Sequence, residues 1–234
     1  MGVIYRPKGR ALEYSELALN MGSGCTHGCK YCYAPGCRLV RREEYFGCFT
    51  PKKNLLGRLA AELRKLENGK ILLSFLHDPY QPRLESLTRR VITMIKESGL
   101  NFQTLTKGGM RAAGDFDLYG PGDSFATTLT FDNDEQSRMV EPGAALPEER
   151  IAAIQKAHEL GIDTWVSFEP VLDADQVLNL YERTKAFVDL YKVGKCSHFP
   201  SAVKDWRSFG HEIIRRMEAD GKKYYIKQDL LVLL

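Results

Sequence analysis

Three cysteines, Cys25, Cys29 and Cys32, stand close together in the stretch NMGSGCTHGCKYCYAPG (20–36). A disulfide uses only two of them. A tetrahedral zinc site wants four ligands, usually from two separate pairs, and the chain has no second close pair to complete one. Three thiolates from one loop can instead hold three irons of a [4Fe–4S] cluster and leave the fourth iron open to a non-protein ligand. Gly24 and Gly28 let such a loop wrap closely, with backbone N–H groups expected to turn toward the cluster sulfurs.

The elements that must position this loop alternate along the chain. ELALNMGSG (16–24) reads as a strand running into the cysteines. NLLGRLAAELRKLENG (54–69) has helical apolar spacing closed by Gly69, and KILLSFLHD (70–78) is a short apolar strand stopped at Asp78-Pro79. The same alternation continues with a helix over 84–99, a strand over 101–109, a short helix near 110–119 and a strand over 124–132. A helix over 147–161 carries proline at its first turn and glycine past its end. Strand, helix and strand follow over 163–172, 174–187 and 188–195, then a helix over 202–221 and an extended segment over 223–231.

Six strand-then-helix units in succession predict a parallel α/β sheet of right-handed crossovers. Six are fewer than the eight of a closed barrel, so the sheet is either open or a partial barrel. Ligands then sit at the carboxyl ends of the strands. The polar residues expected there are the cysteine loop, Asp78, Lys107, Thr128 and Thr130, Glu169, and Lys192 with Lys195. They converge on one mouth.

Composition sets milder bounds. At 234 residues, with 44% hydrophobic and 27% charged residues, the chain reads as one globular domain, residues 1–234. Within it the core spans about 15–200, and a helix and tail occupy 202–234. A net charge of +3 neither requires nor excludes nucleic acid. No apolar run approaches the roughly 18–20 residues that span a bilayer. The start, MGVIYRPKGRALEY, has no apolar signal core, so a cytoplasmic protein without a membrane partner is expected.

The pattern C-x3-C-x2-C, with Tyr31 before its last cysteine and a strand before its first, resembles the signature of radical S-adenosylmethionine (SAM) enzymes. The resemblance implies a partial (β/α)6 TIM-type barrel and two cofactors, a [4Fe–4S] cluster and S-adenosyl-L-methionine. It also implies a 5′-deoxyadenosyl radical that takes hydrogen from substrate, and a flavodoxin- or ferredoxin-type electron donor. SFLHDPYQP (74–82), TLTKGG (104–109), TTLTF (127–131), MVEPGAALPEER (139–150) and the YYIKQ of the tail look like counterparts in the spore photoproduct lyase-like group. The lyases carry a hydrogen-donating cysteine shortly before the strand-two aspartate, and a longer N-terminal region. Here that stretch is Phe75-Leu76-His77-Asp78, so a relative with a different substrate is expected; the sequence leaves it unidentified, with nucleic acid, a nucleotide or a peptide as the candidates.

Site residues follow from that likeness and from strand-end position. Tyr31, Tyr33, Asp78, Lys107, Thr128 and Thr130 are expected beside the cofactor. Asp78 would meet the SAM amino group, Lys107 the carboxylate, and the two threonines, on one strand face, the ribose. Each also has a plainer reading: Asp78 as a turn cap, Lys107 as a solvated strand end, the threonines as β-branched filling. Glu141 and Arg150 are expected to pair with each other. Glu169 is the acidic candidate for a catalytic contact. Cys196, at a strand end in VGKCSH, is the candidate hydrogen donor to a substrate radical, or else a packed thiol. Cys37 and Cys48 are expected to be free thiols packed as small buried hydrophobes, His27 to fix the loop, and His77, His158, His198 and His211 to pack or face solvent. The rival function is an Fe–S protein that binds or senses without catalysis.

Overall fold

The computed structural model describes residues 2–196 and 199–234; the reading of His198 lies outside them. In chain order the elements begin β1 (Ile4–Tyr5), β2 (Leu17–Leu19), β3 (Gly22–Ser23), α1 (Ala34–Arg38), α2 (Arg42–Gly47), β4 (Thr50–Pro51), α3 (Leu55–Leu63), β5 (Lys70–Leu73) and α4 (Glu85–Glu97). They continue with β6 (Asn101–Thr106), β7 (Ser124–Thr128), α5 (Asp134–Val140), α6 (Pro147–Glu159), β8 (Asp163–Val171) and α7 (Ala174–Thr184). The last are β9 (Leu190–Lys195), α8 (Trp206–Ala219), β10 (Lys223–Ile226) and α9 (Gln228–Leu231). Two 3-10 segments, Gly9–Glu13 and Gly109–Leu118, complete the set.

The main sheet runs β1-β2-β5-β6-β7-β8-β9-β10, with every pair parallel except β1 on β2. The six expected strands are therefore present in sequence order, as a partial TIM-type barrel. An antiparallel strand is added at one edge and a seventh parallel strand at the other. The expected strand over 16–24 breaks in two: β3 leaves the sheet to pair with β4, because Gly22 lies against Phe49 and Thr50 where no side chain would fit.

Helices cover the outer face for the reason their spacing predicts. Thr88, Val91, Ile92 and Ile95 of α4 are buried, and so are Leu55, Leu59 and Leu63 of α3. Asp173 and Asp205 cap α7 and α8 by accepting from Gln176 N (3.1 Å) and Ser208 N (3.0 Å). Outward strand residues such as Phe168, Tyr191 and Val193 join the helix-packed core. Their neighbours Trp165, Ser167, Glu169 and Lys192 alternate onto the inner face, into the barrel lumen.

Differences from expectation concentrate at the ends and around the cysteines. The segment 223–231 is extended only to Ile226 and then turns into α9, where Leu230 is buried. Helices α1, α2 and α5 are short, and tertiary contacts rather than periodicity make them.

Candidate functional site at the mouth of the barrel

The cysteine loop joins β3 to α1, with Cys25 and Cys29 buried and Cys32 half-buried. Its backbone is held from three sides. Arg42 donates to the carbonyls of Cys29 (2.8 Å), Lys30 (2.9 Å) and Cys32 (2.9 Å). Gln81 accepts from Thr26 N at 2.8 Å and donates to Gly24 O at 3.3 Å. Pro142-Gly143 packs on the third side: Gly143 N donates to His27 O at 2.9 Å, and a Cβ at this glycine would stand 2.3 Å from Thr26 O. Gly24, at φ +97°, has Cys48 O where a Cβ would be, so only glycine fits.

The expected turning of N–H groups toward a cluster is not what the loop shows at three positions. Cys25 N, Lys30 N and Cys32 N donate to Tyr45 O, Val140 O and Cys29 O. These bonds fix the loop without a ligand, because buried N–H groups need partners in the protein itself.

Glu141 and Arg150 form a buried ion pair at 2.6 Å, with side chains 0% and 1% exposed, as expected. The pair reaches the cluster loop, since Tyr31 donates its hydroxyl to Glu141 Oε1. Arg150 also donates to Ala145 O (2.7 Å) and Thr128 O (3.2 Å). Burial raises the Glu141 pKa, but Arg150 and Lys107 outweigh it, and the carboxyl stays below its ordinary range.

Asp78, in the loop after β5, uses both oxygens inside the protein. Oδ1 accepts from Tyr80 N (2.9 Å) and Thr106 Oγ1 (2.5 Å), and Oδ2 from Lys107 N (2.7 Å). His27 Nδ1 lies 3.4 Å from Oδ2, while Arg111 donates to His27 Nε2 at 3.3 Å, which assigns the ring proton to Nδ1. Burial pushes the His27 pKa down to about 4. Asp78 thus joins the cluster loop to the end of β6. Lys107, the next residue there, stands over the Tyr31 ring at 5.4 Å. Burial lowers its pKa, but the charges of Cys29 and Glu141 raise it further, above an ordinary lysine.

A second group lies in the lumen. Glu169 Oε2 accepts from Lys227 Nζ (2.5 Å) and from Tyr14, whose hydroxyl also shares a 3.0 Å hydrogen bond with Ser167. Lys192 Nζ donates to Glu13 O and Tyr14 O at 2.8 and 3.3 Å. Burial, then neighbouring Lys227, push its pKa down to about 8. Phe75 links the two groups: its carbonyl accepts from Tyr33 OH at 3.0 Å, and its ring packs on Tyr14 at 6.0 Å. Thr128 and Thr130 are buried at and beyond the end of β7, and Thr130 Oγ1 has no partner among the described residues. Cys196 is half-buried just past β9, and Phe199 beyond it packs edge-on against Tyr31 at 6.4 Å. Cys37 and Cys48, expected to be buried, are exposed, because they lie at the surface in α1 and just after α2.

The loop's donor set fits an iron–sulfur cluster. Burial raises all three thiol pKa values, Cys25 to about 12, so thiolates here need compensating positive charge such as iron supplies. Among the described residues no three His, Cys, Asp or Glu side chains converge on a single ion.

The radical SAM superfamily profile matches residues 19–176, well over half of the chain. The chain belongs to the radical SAM superfamily. Members use a [4Fe–4S] cluster and SAM. Among its relatives, an uncharacterized protein of Methanocaldococcus jannaschii is 28% identical over 76% of this chain and 69% of its own. An uncharacterized protein of Mycobacterium bovis is 30% identical over 71% of this chain and 52% of its own. Spore photoproduct lyase complexed with dinucleoside spore photoproduct superposes with a TM-score of 0.71 at 12% identity, over 95% of this chain and 79% of that one. SuiB of Streptococcus suis bound to SAM gives 0.66 at 11% identity, over 89% of this chain and 49% of that one. The chain thus spans from about half to four fifths of these proteins. Among the described residues no helix is long and apolar enough to cross a membrane.

Five residues of the site have no role assigned from the sequence: Tyr14 and Arg42 lie outside every motif, and Asn20, Gln81 and Gly143 lie within motif stretches that name no function for them. Tyr14, Asn20, Arg42, Gln81 and Gly143 act through contacts distant in sequence. Asn20, for example, accepts from Phe75 N and Leu76 N at 3.1 and 3.0 Å.

Proposed function

We propose that this chain is a cytoplasmic enzyme that cleaves SAM reductively and uses the product to take a hydrogen atom from a nucleic acid or nucleotide substrate. Cys25, Cys29 and Cys32 would hold the cluster. When bound there, the cluster would supply the electron that cleaves a C–S bond of SAM and so gives a 5′-deoxyadenosyl radical. The observation that carries the reading is the placement of three thiols, made costly to ionise by burial, on a braced loop at the mouth of a polar lumen.

The remaining roles belong to the chain's own side chains. Lys107 offers a cation for the SAM carboxylate, held in place by Asp78 on its backbone N–H. Tyr31 and Tyr33 wall the loop, and the hydroxyls of Thr128 and Thr130 face the ribose. Glu169 presents its second oxygen, which accepts no hydrogen bond among the described residues, to a donor group in the lumen. Cys196 would return a hydrogen atom to a substrate radical, as Phe75 cannot. A low-potential carrier, flavodoxin or ferredoxin, would supply the electron.

The substrate class rests on motif likeness to the lyase group. Fold alone does not choose it: one solved neighbour holds dinucleoside spore photoproduct and another, SuiB, a precursor peptide. Anaerobic reconstitution with iron and sulfide, then dithionite and SAM, tests the reading by release of 5′-deoxyadenosine. A loaded cluster with no release would make the chain a binding or sensing protein. Deuterium passing from labelled oligonucleotide into 5′-deoxyadenosine tests the substrate, and no transfer would exclude it.

A further inference from the structure

We propose that the face formed by Lys30, Arg38, Arg41 and Leu39 is the docking site of a small acidic one-electron carrier protein. The inference rests on the functional reading above and locates the partner that reading requires.

Residues 30–42 carry four exposed cations, Lys30, Arg38, Arg41 and Arg42, and the exposed carboxylates Glu43 and Glu44 follow in α2, which leaves the stretch 30–44 cationic by two charges. At their centre Leu39 is 93% exposed, with its backbone at φ +53°, a conformation that glycine or asparagine adopts far more readily than leucine. A large apolar side chain held out at a helix end by an unfavourable backbone, flanked in the chain by Arg38 and Arg41, matches the pairing of an apolar contact with charged neighbours in transient protein interfaces. The charge is felt beyond the segment: burial lowers the Lys52 pKa, and Arg58 and Arg38 lower it further.

Position selects the occupant. Arg42 runs from this face to the carbonyls of Cys29 and Cys32, each at 2.9 Å or less, so the face touches the backbone of two of the three cluster cysteines. Val40 packs in the same apolar group as Cys25 and Cys32. A carrier seated here lies against the cluster's own loop, whereas the substrate must reach the lumen lined by Glu169 and Lys227. A cationic rim also steers an acidic partner and raises its association rate, an effect that salt removes. Nucleic acid is the other polyanion such a face can attract, and the test separates the two.

The experiment compares the reconstituted enzyme with Arg38→Glu/Arg41→Glu and with Leu39→Asp, a residue that tolerates this backbone. The 5′-deoxyadenosine rate is measured with a reduced, strongly acidic flavodoxin and, separately, with dithionite. The double reversal is expected to slow the flavodoxin-driven rate by about tenfold at low salt, with the loss shrinking toward 0.5 M salt as screening shortens to a few ångströms (about 3 Å at 1 M). Leu39→Asp is expected to slow it at every salt concentration. Dithionite-driven rates are expected to stay at wild type in both. Equal flavodoxin-driven rates in wild type and the reversal would overturn the proposal, and so would a reversal that abolishes oligonucleotide binding while sparing flavodoxin. If dithionite itself yields no product in the wild type, the functional reading fails instead.

Discussion

Lys227 Nζ lies 2.5 Å from Glu169 Oε2, joining the tail of the chain to the fifth strand of the barrel series inside the lumen. The same ammonium is 3.5 Å from Glu13 Oε2 and 4.2 Å from the centre of the Tyr14 ring. Around it, Glu13 Oε1 accepts from Gln228 N at 2.8 Å, and Arg10 pairs with Asp229 at 3.1 Å. The segments at 9–14 and 223–231 thus clasp each other across the gap between the edge strands β1 and β10.

Breaking this pair from one side should be costly. Lys227 is 3% exposed and Glu169 21%, so Lys227→Met leaves a carboxylate with little water and no cation. A loss of about 3 kcal/mol is expected in urea unfolding of the iron-free protein. Lys227→Met/Glu169→Gln should recover most of it, because the second change removes the stranded charge. Additive losses would show that the two side chains are not coupled.

The cluster assignment separates the cysteines by position. Alanine at Cys25, Cys29 or Cys32 should abolish stable iron and sulfide loading, whereas Cys37→Ala or Cys48→Ala should load as wild type. Full loading of Cys29→Ala would remove that residue from the site.

Lys107→Met should weaken SAM binding by roughly 10-fold or more, since a charge-assisted hydrogen bond contributes about 1.5–3 kcal/mol. Iron content should not change. Calorimetric titration of the loaded, unreduced protein reads the affinity, and unchanged binding would make Lys107 a strand-end cation only.

Arg150→Met strands the fully buried Glu141, the carboxylate to which Tyr31 donates. Stability should fall by about 4 kcal/mol. Retained stability, measured by denaturant unfolding, would show that Tyr31 and Lys107 suffice to hold the carboxylate.

His77 should make the fold acid-sensitive. Both ring nitrogens are buried without a partner among the described residues, the ring packs on Phe49 at 5.0 Å, and burial pushes its pKa down to about 3. Unfolded histidine takes a proton near pH 6.5, so between 6.5 and 3 the unfolded chain binds more protons and stability falls as pH falls. The full loss is roughly 4–5 kcal/mol and is complete below about pH 3. His77→Leu should flatten this limb. An unaltered acid transition in that variant would place the sensitivity elsewhere.

The sequence alone determined the family, its two cofactors and the order of the strands. Cys25, Cys29 and Cys32 are close in the chain, so their common loop is a local fact that spacing can carry. The alternation of apolar runs with amphipathic stretches is likewise local, and β5 to β9 appear in the order it predicts. Strand-end position also placed Glu169 on the inner face, through the two-residue period of a strand. Only the tertiary structure decided what those residues touch. Asp78 turned out to spend its oxygens on Thr106 and the backbone at Tyr80 and Lys107, and Lys227, in a tail that the sequence shows only as an extended segment, is buried against Glu169. Gln81, Arg42 and Gly143 brace the cysteine loop from distant or irregular segments. Such contacts depend on where the sheet's twist and the crossovers bring loops together. No period in the sequence records that, because each bond joins residues whose neighbours in the chain have different partners.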